Sequence, residues 1–173
     1  ARQKGLGLVS FSDHSNSAGS MDCETGDVED CPNLGPEFPV HEQARAMSEL
    51  GLEMVVGVEL SPVMEGGSGL LPTGHTGCHP THMDDFAAVE NAFSDRPMGA
   101  VSGGEGVEWC EALGGFSVVN HPFSLAPWVA YDWSSDAYDA LEVYNGGGWF
   151  DQADVESVTA WFCDLAQGRW VVP

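Results

Sequence analysis

The sequence predicts an α/β domain of mostly parallel strands, and three observations predict it. Short apolar runs recur along the chain, and each ends in a polar or metal-ligating residue. Leu8–Phe11 leads into Ser12, Asp13 and His14; Met54–Val58 into Glu59; Phe116–Val119 into Asn120 and His121; Leu141–Tyr144 into Asn145. Strand ends of this kind are where (β/α) folds build their sites. Helical patterns stand between the runs, and no hairpin signal joins them, as in successive βαβ units.

Taken in order, Gly5–Phe11 is the first strand. Residues 15–40 lack periodicity and exceed the usual connection length, which marks a functional or disordered loop. His41–Leu50 reads as a helix with Ala44, Met47 and Leu50 on one face and Gly51 as its stop. Glu53–Leu60 is a strand, apolar almost throughout, as one covered on both faces should be. A glycine-rich loop follows over Glu65–His75. Thr81 with Asp84 resembles a capping box, opening a helix in which Phe86, Val89 and Phe93 share a face. Residues 98–106 are glycine-rich and ambiguous, and Val107–Leu113 is helical up to Gly114 and Gly115. Asp151 with Asp154 opens the last helix, with Val155, Val158, Phe162 and Leu165 inward and Gly168 at its end; Arg169–Val172 begins one more strand. There is no internal repeat and no domain linker, so residues 1–173 form one domain's worth of chain.

Composition excludes several classes. With 27 acidic residues against 5 basic ones, the formal charge is -22, which repels phosphate backbones and anionic lipid. No apolar run approaches the roughly 20 residues that span a bilayer. No signal peptide precedes the first strand. Cys23 and Cys31 bracket an acidic loop that a disulfide would restrain, whereas Cys110 and Cys163 sit in helical patterns as buried thiols. Together the cysteines and the acidity lean towards an extracytoplasmic or secreted protein.

Asp13, His14, Glu59, His75 and His121 form a set of oxygen and nitrogen donors, four of them at or beside strand ends. Imidazole with carboxylate suits zinc, manganese or iron, and ions so held activate water. Glu59 closes an apolar strand in a chain with few basic partners, which favours a ligand over a salt bridge. A second reading places a small zinc site within His75, Cys78, His79 and His82; it needs a compact loop, because Gly77 and Pro80 rule out a helix, and it ranks below His79 and His82 as surface residues. Glu142 points either towards the site or outward. Gly66–Gly69 and Gly103–Gly106 lack phosphate-loop spacing and read as flexible loops, and no G-x-S-x-G elbow supports a serine hydrolase.

In order, VSFSDHSN, GLEMVVGVEL, the GH of TGHTG, FSVVNHPF and DALEVYNGG resemble motifs of the PHP (polymerase and histidinol phosphatase) superfamily of metallohydrolases, nearest its CehA/McbA-type branch. The resemblance implies a distorted (β/α) barrel binding two or three divalent ions at its C-terminal mouth. It also implies hydrolysis of a small-molecule ester or phosphoester by metal-bound hydroxide. It makes His14, Glu59, His75 and His121 metal ligands, Glu59 a bridging carboxylate, and Asp13 a ligand and candidate proton acceptor. Asn120 and Asn145 become candidate substrate contacts near the mouth. The chain lacks the family's opening His-x-His and closing Asp-x-His. The expectation is therefore a domain truncated at both ends, with another chain or chain segment completing the barrel. The alternative function is a non-catalytic PHP-like structural or binding subunit.

Overall fold

The structure, a computed structural model, describes residues 5, 7–14, 47, 49–51, 53–60, 74–81, 102–124, 130–145 and 151–173. Its elements in chain order are β1 (Leu8–His14), β2 (Glu53–Leu60), β3 (His75–Pro80), α1 (Gly103–Ala112), β4 (Gly115–Asn120), β5 (Ala140–Leu141) and α2 (Asp151–Ala166). The strands form one five-stranded sheet in sequence order. β1 pairs with β2 in parallel and β4 with β5 in parallel, whereas β3 runs antiparallel to both β2 and β4. The chain is thus mixed α/β, with four strands in one direction and β3 against them.

β3 occupies the residues over which the separate zinc site would have needed a compact loop. Gly77 weakens a strand and Pro80 cannot donate to a ladder, so local preference argues against one here. Pairing on both sides overrides that preference: Cys78 lies opposite Val58 and Ser117, and Pro80 closes the strand opposite Gly115. A disulfide joins Cys78 to Cys110 of α1, and both cysteines are fully buried. Cys110 is therefore not the thiol its helical pattern suggested. Gly115 must be glycine beside it, since a Cβ there would stand 2.7 Å from Cys110 Sγ and 2.8 Å from Cys78 Sγ. Cys163, also expected to be buried, is free and exposed. Cys23 and Cys31 lie outside the described residues.

Side chains alternate across the sheet and divide it into two unlike faces. The outer face carries Met54, Val58, Thr76, Cys78, Ser117 and Val119, all buried. Val119 and Leu141 pack there with Val107, Tyr131, Tyr138 and Val171, and Ala160 and Trp161 of α2 lie against them. Buried Ser117 is satisfied by Asp139, whose carboxylate accepts from both the Ser117 N–H (2.8 Å) and Oγ (3.1 Å). The inner face carries Val55, Gly57, Glu59, His75, Gly77, His79, Val118 and Asn120.

α1 begins four residues earlier than its apolar pattern, inside the glycine cluster read as a flexible loop. Ser102 caps it: Ser102 Oγ accepts from Glu105 N–H (3.1 Å), and Glu105 Oε2 accepts from Ser102 N–H (2.9 Å). That reciprocal S-x-x-E box is a legible start signal. Gly103 and Gly104 donate to Asp132 and Ser134, and the Tyr131 ring occupies the space a Cβ on Gly103 would need. Gly51, Gly114 and Gly168 have φ of +83, +69 and +81, the left-handed stops expected after helical segments.

α2 spans the predicted range but presents a different face. Val155 and Phe162 are 60% and 59% exposed, while Ala153, Ser157 and Asp164 are buried. The polar contacts decide this. Asp164 Oδ2 accepts from Tyr138 Oη (2.9 Å) and lies 3.0 Å from Arg169, whose other nitrogen pairs with Asp136. Trp161 donates its indole N–H to the Val171 carbonyl. Satisfying a buried carboxylate outweighs hiding two more apolar side chains. Met47 and Leu50, expected on an inward face, are 46% and 72% exposed. The strand expected over Leu141–Tyr144 is only Ala140–Leu141, and Arg169–Val172 contributes one bridge, Val172 beside Ala140. Thr81 donates its hydroxyl to the Gly114 carbonyl; the helix it was expected to cap, like most of the earlier one, lies outside the described residues.

Because the disulfide crosses from the central antiparallel strand to the helix covering it, its loss should cost about 2–4 kcal/mol. Replacing Cys78 and Cys110 together by alanine should lower the urea midpoint accordingly, and a reductant should shift the parent protein more than the variant. An unchanged midpoint would show that β3 is held by its ladders alone.

Candidate metal centre

Glu59, His75 and His121 converge although they come from separate parts of the chain. Glu59 is near the C-terminal end of β2, His75 is the first residue of β3, and His121 directly follows β4. Register explains the meeting: Glu59 lies opposite Gly77, and His75 opposite Asn120. His75 Nδ1 is 2.8 Å from Glu59 Oε1, His121 Nε2 is 3.5 Å from the same oxygen, and the two ring nitrogens are 3.1 Å apart. The side chains are 15%, 12% and 19% exposed for Glu59, His75 and His121.

These three atoms suit a cation. Donors around a tetrahedral ion with bonds of about 2.0–2.2 Å stand about 3.3–3.6 Å apart; the 3.5 Å edge falls in that range, and the 3.1 and 2.8 Å edges would open to admit an ion. Two imidazole nitrogens and a carboxylate oxygen on one point form a set that zinc and its neighbours accept. The three residues can therefore hold a metal ion.

His121 is held in place by its backbone. Its φ of 29° is uncommon for a residue with a side chain. Its N–H donates to Glu142 Oε2 at 2.6 Å. Burial raises the Glu142 carboxyl above its ordinary pKa; the His121 N–H and ring oppose the shift, and the negative charges of Glu59 and Asp154 add to it. Glu142, left open by strand alternation, therefore faces the site. His121 Nδ1 is buried without a hydrogen-bond partner among the described residues.

The remaining expected residues fall as follows. His14 is level with Glu59 in the β1–β2 ladder, and Asp13 with Val58, so the end of β1 arrives at the same end of the sheet. Asn120 lines the inner face. Asn145 donates its backbone N–H to Asp154 Oδ1, tying the segment after β5 to α2. The separate zinc site drawn from His75, Cys78, His79 and His82 does not form as such: the Cys78 sulfur is committed to its disulfide, and His82 is outside the described residues. Nor is His79 a surface residue. Its Nδ1 lies 2.8 Å from Ser10 Oγ, and a Cβ on Gly57 would run into its ring. Nothing in the spacing of residues 10, 57 and 79 announces that contact, which exists only through the sheet register.

No protein-family model matches the chain, and no curated protein or solved structure is significantly similar to it. No helix among the described residues is long and apolar enough to cross a membrane.

Burial lowers the His79 pKa below its ordinary 6.5. The unfolded chain then binds the proton more tightly than the fold does. Stability from this group is intact above pH 6.5 and declines as the pH falls below it towards the depressed folded value. His79→Gln should therefore lose less stability than the parent between pH 7.5 and pH 5.5, roughly one unit either side of that value. Denaturant midpoints at the two pH values measure this, and equal losses would show that His79 titrates as freely in the fold as in the unfolded chain.

Proposed function

We propose that the chain is a metal-dependent hydrolase of the PHP type, acting on a small ester or phosphoester. The observation that carries this reading is the convergence of Glu59, His75 and His121 on one point at one end of the sheet. The resemblance in motif order names the same three residues as ligands, and the pairing of three strands brings them together.

On this reading Glu59, His75 and His121 would hold a divalent ion of zinc, manganese or iron, and Glu59 is the carboxylate that would be shared if a second ion bound. Asp13 and His14 are the proposed further donors, since their backbone reaches the same end of the sheet. An ion in this position acts as a Lewis acid and lowers the pKa of water. Glu142 orients His121 through its backbone N–H. Asp13 is the proposed proton acceptor, and Asn120, beside His121 and opposite His75, orients substrate. Asn145 is the second proposed substrate contact. A distorted barrel is the proposed complete form. The inner face bearing the donors is consistent with a barrel interior, and further strands, from this chain or another, would close it.

The non-catalytic reading rests on the same site: among the described residues a single group of three donors forms, enough for one structural ion. Cobalt(II) titration of chelator-treated protein, with turnover of bis(p-nitrophenyl) phosphate and p-nitrophenyl acetate, separates the two. Glu59→Gln, His75→Asn and His121→Asn should each weaken cobalt binding by at least about 10–100-fold and abolish metal-dependent turnover. Cobalt bound at this site without turnover of either substrate would establish the structural reading. Unchanged binding in all three variants would remove the metal centre.

A further inference from the structure

The inner face of the sheet holds a wide-mouthed cavity of about 700 Å³, with Leu8, Ser10, Phe116 and Tyr144 exposed along it. That volume lies within the range of small-molecule sites, which are mostly apolar with a few placed polar groups. Val55, Phe116, Val118 and Val143 supply apolar walls. The polar side chains along it include Ser10, His79, Asn120 and Glu142. Ser10 and His79 already form a pair at 2.8 Å, and the absence of a Cβ at Gly57 lets the imidazole lie across β2 to reach β1. At Gly77, a Cβ would stand 3.3 Å from His79 Nε2 and 3.4 Å from Asn120 Oδ1. The second imidazole nitrogen and the amide oxygen, both on cavity-lining residues, thus flank the space over Gly77.

Charge narrows what fits. Among the described residues that line the cavity there is no lysine or arginine, and Glu142 has the one side-chain carboxylate. Among the described residues the only lysine or arginine is Arg169, which is paired with Asp136 and Asp164. Burial disfavours the charged imidazolium of His79. An anionic head group would enter a strongly acidic chain and meet no fixed positive charge among the described residues, so its desolvation would go uncompensated by them. A neutral hydroxyl or carbonyl would exchange its water contacts for Ser10, His79 or Asn120 at little cost.

We propose that this cavity is a binding site for a small uncharged amphiphile, its apolar body between Val55, Val118 and Val143 and its one polar group at Ser10, His79 and Asn120. The site is distinct from the three metal donors, none of which lines it, although Asn120 and Glu142 border both. It stands whether or not a metal binds.

The test uses Nile red, a neutral fluorophore, with decanol, decanoate and decane as competitors. Nile red should bind and be displaced by decanol at concentrations at least about tenfold below those needed for decanoate. Ser10→Ala should weaken decanol by about 2–10-fold, the scale of one hydrogen bond, and leave decane unchanged. Val118→Trp should block binding. Leu8→Trp, on the half-exposed rim of the cavity, gives a milder block should the first variant fail to fold. In the parent protein, decanol should shift the methyl resonances of Val55, Val118 and Val143. Decanoate binding as tightly as decanol, Nile red binding unaffected by a folded tryptophan variant, or shifts confined to other methyl groups would each overturn the proposal.

Discussion

The candidate site depends on the direction of one strand. β3 runs against its neighbours, so its first residue, His75, arrives where β2 and β4 finish. Had β3 run parallel, Pro80 would stand there and His75 would lie about 17 Å away at the other end, since each strand residue advances about 3.3 Å. Local preference does not favour this strand, so its position must be enforced from outside. Two ladders enforce it along its edges, and the Cys78–Cys110 disulfide ties its outer face to α1. Glycines at 115 and 57 give room, the first for the sulfurs and the second for the His79 ring. The fold thus spends its covalent link on the strand with the weakest local preference.

What was legible in the sequence follows from which forces act locally. β2 is visible to the residue because eight nearly apolar positions carry their own signal. β4, the extent of α2 and the glycine stops at 51, 114 and 168 are legible for similar reasons. The buried face of α2 was not, because its orientation is set by Asp164 meeting Tyr138 and Arg169, partners outside the helix. The Cys78–Cys110 pair was hidden because its sulfurs meet only after β3 enters the sheet. The site divides in the same way. Glu59, His75 and His121 could be singled out as strand-end donors, but their separations of 2.8–3.5 Å arise from register. The Ser10–His79 contact had no local signature at all.

The two faces of the sheet treat polar groups differently. On the covered face Ser117 is matched by Asp139 and Tyr138 by Asp164, while Thr76 Oγ1 is buried with no hydrogen-bond partner among the described residues. On the inner face the side chains are less buried, and donors gather at one end. His121 occupies a left-handed backbone conformation there, with a carboxylate accepting from its N–H. Unfavourable backbone geometry persists where the surroundings over-determine it, and it concentrates at functional positions. In His121 it coincides with two further observations, convergence with Glu59 and His75 and a buried Nδ1 without a partner among the described residues.

Electrostatics place an order on any chemistry at this end. A formal charge of -22 attracts cations everywhere and selects none. Selection comes from Glu59 and the two imidazoles, which offer three donors in a partly buried space. Glu142 stands close enough to Glu59 for that charge to raise its pKa. Without an ion, the site presents the Glu59 and Glu142 carboxylates to an approaching phosphoester, and their negative charge repels it. A bound divalent cation becomes the largest local charge and reverses that field. On the proposed reading, metal loading precedes phosphoester, because Arg169, the only lysine or arginine among the described residues, is already paired with Asp136 and Asp164.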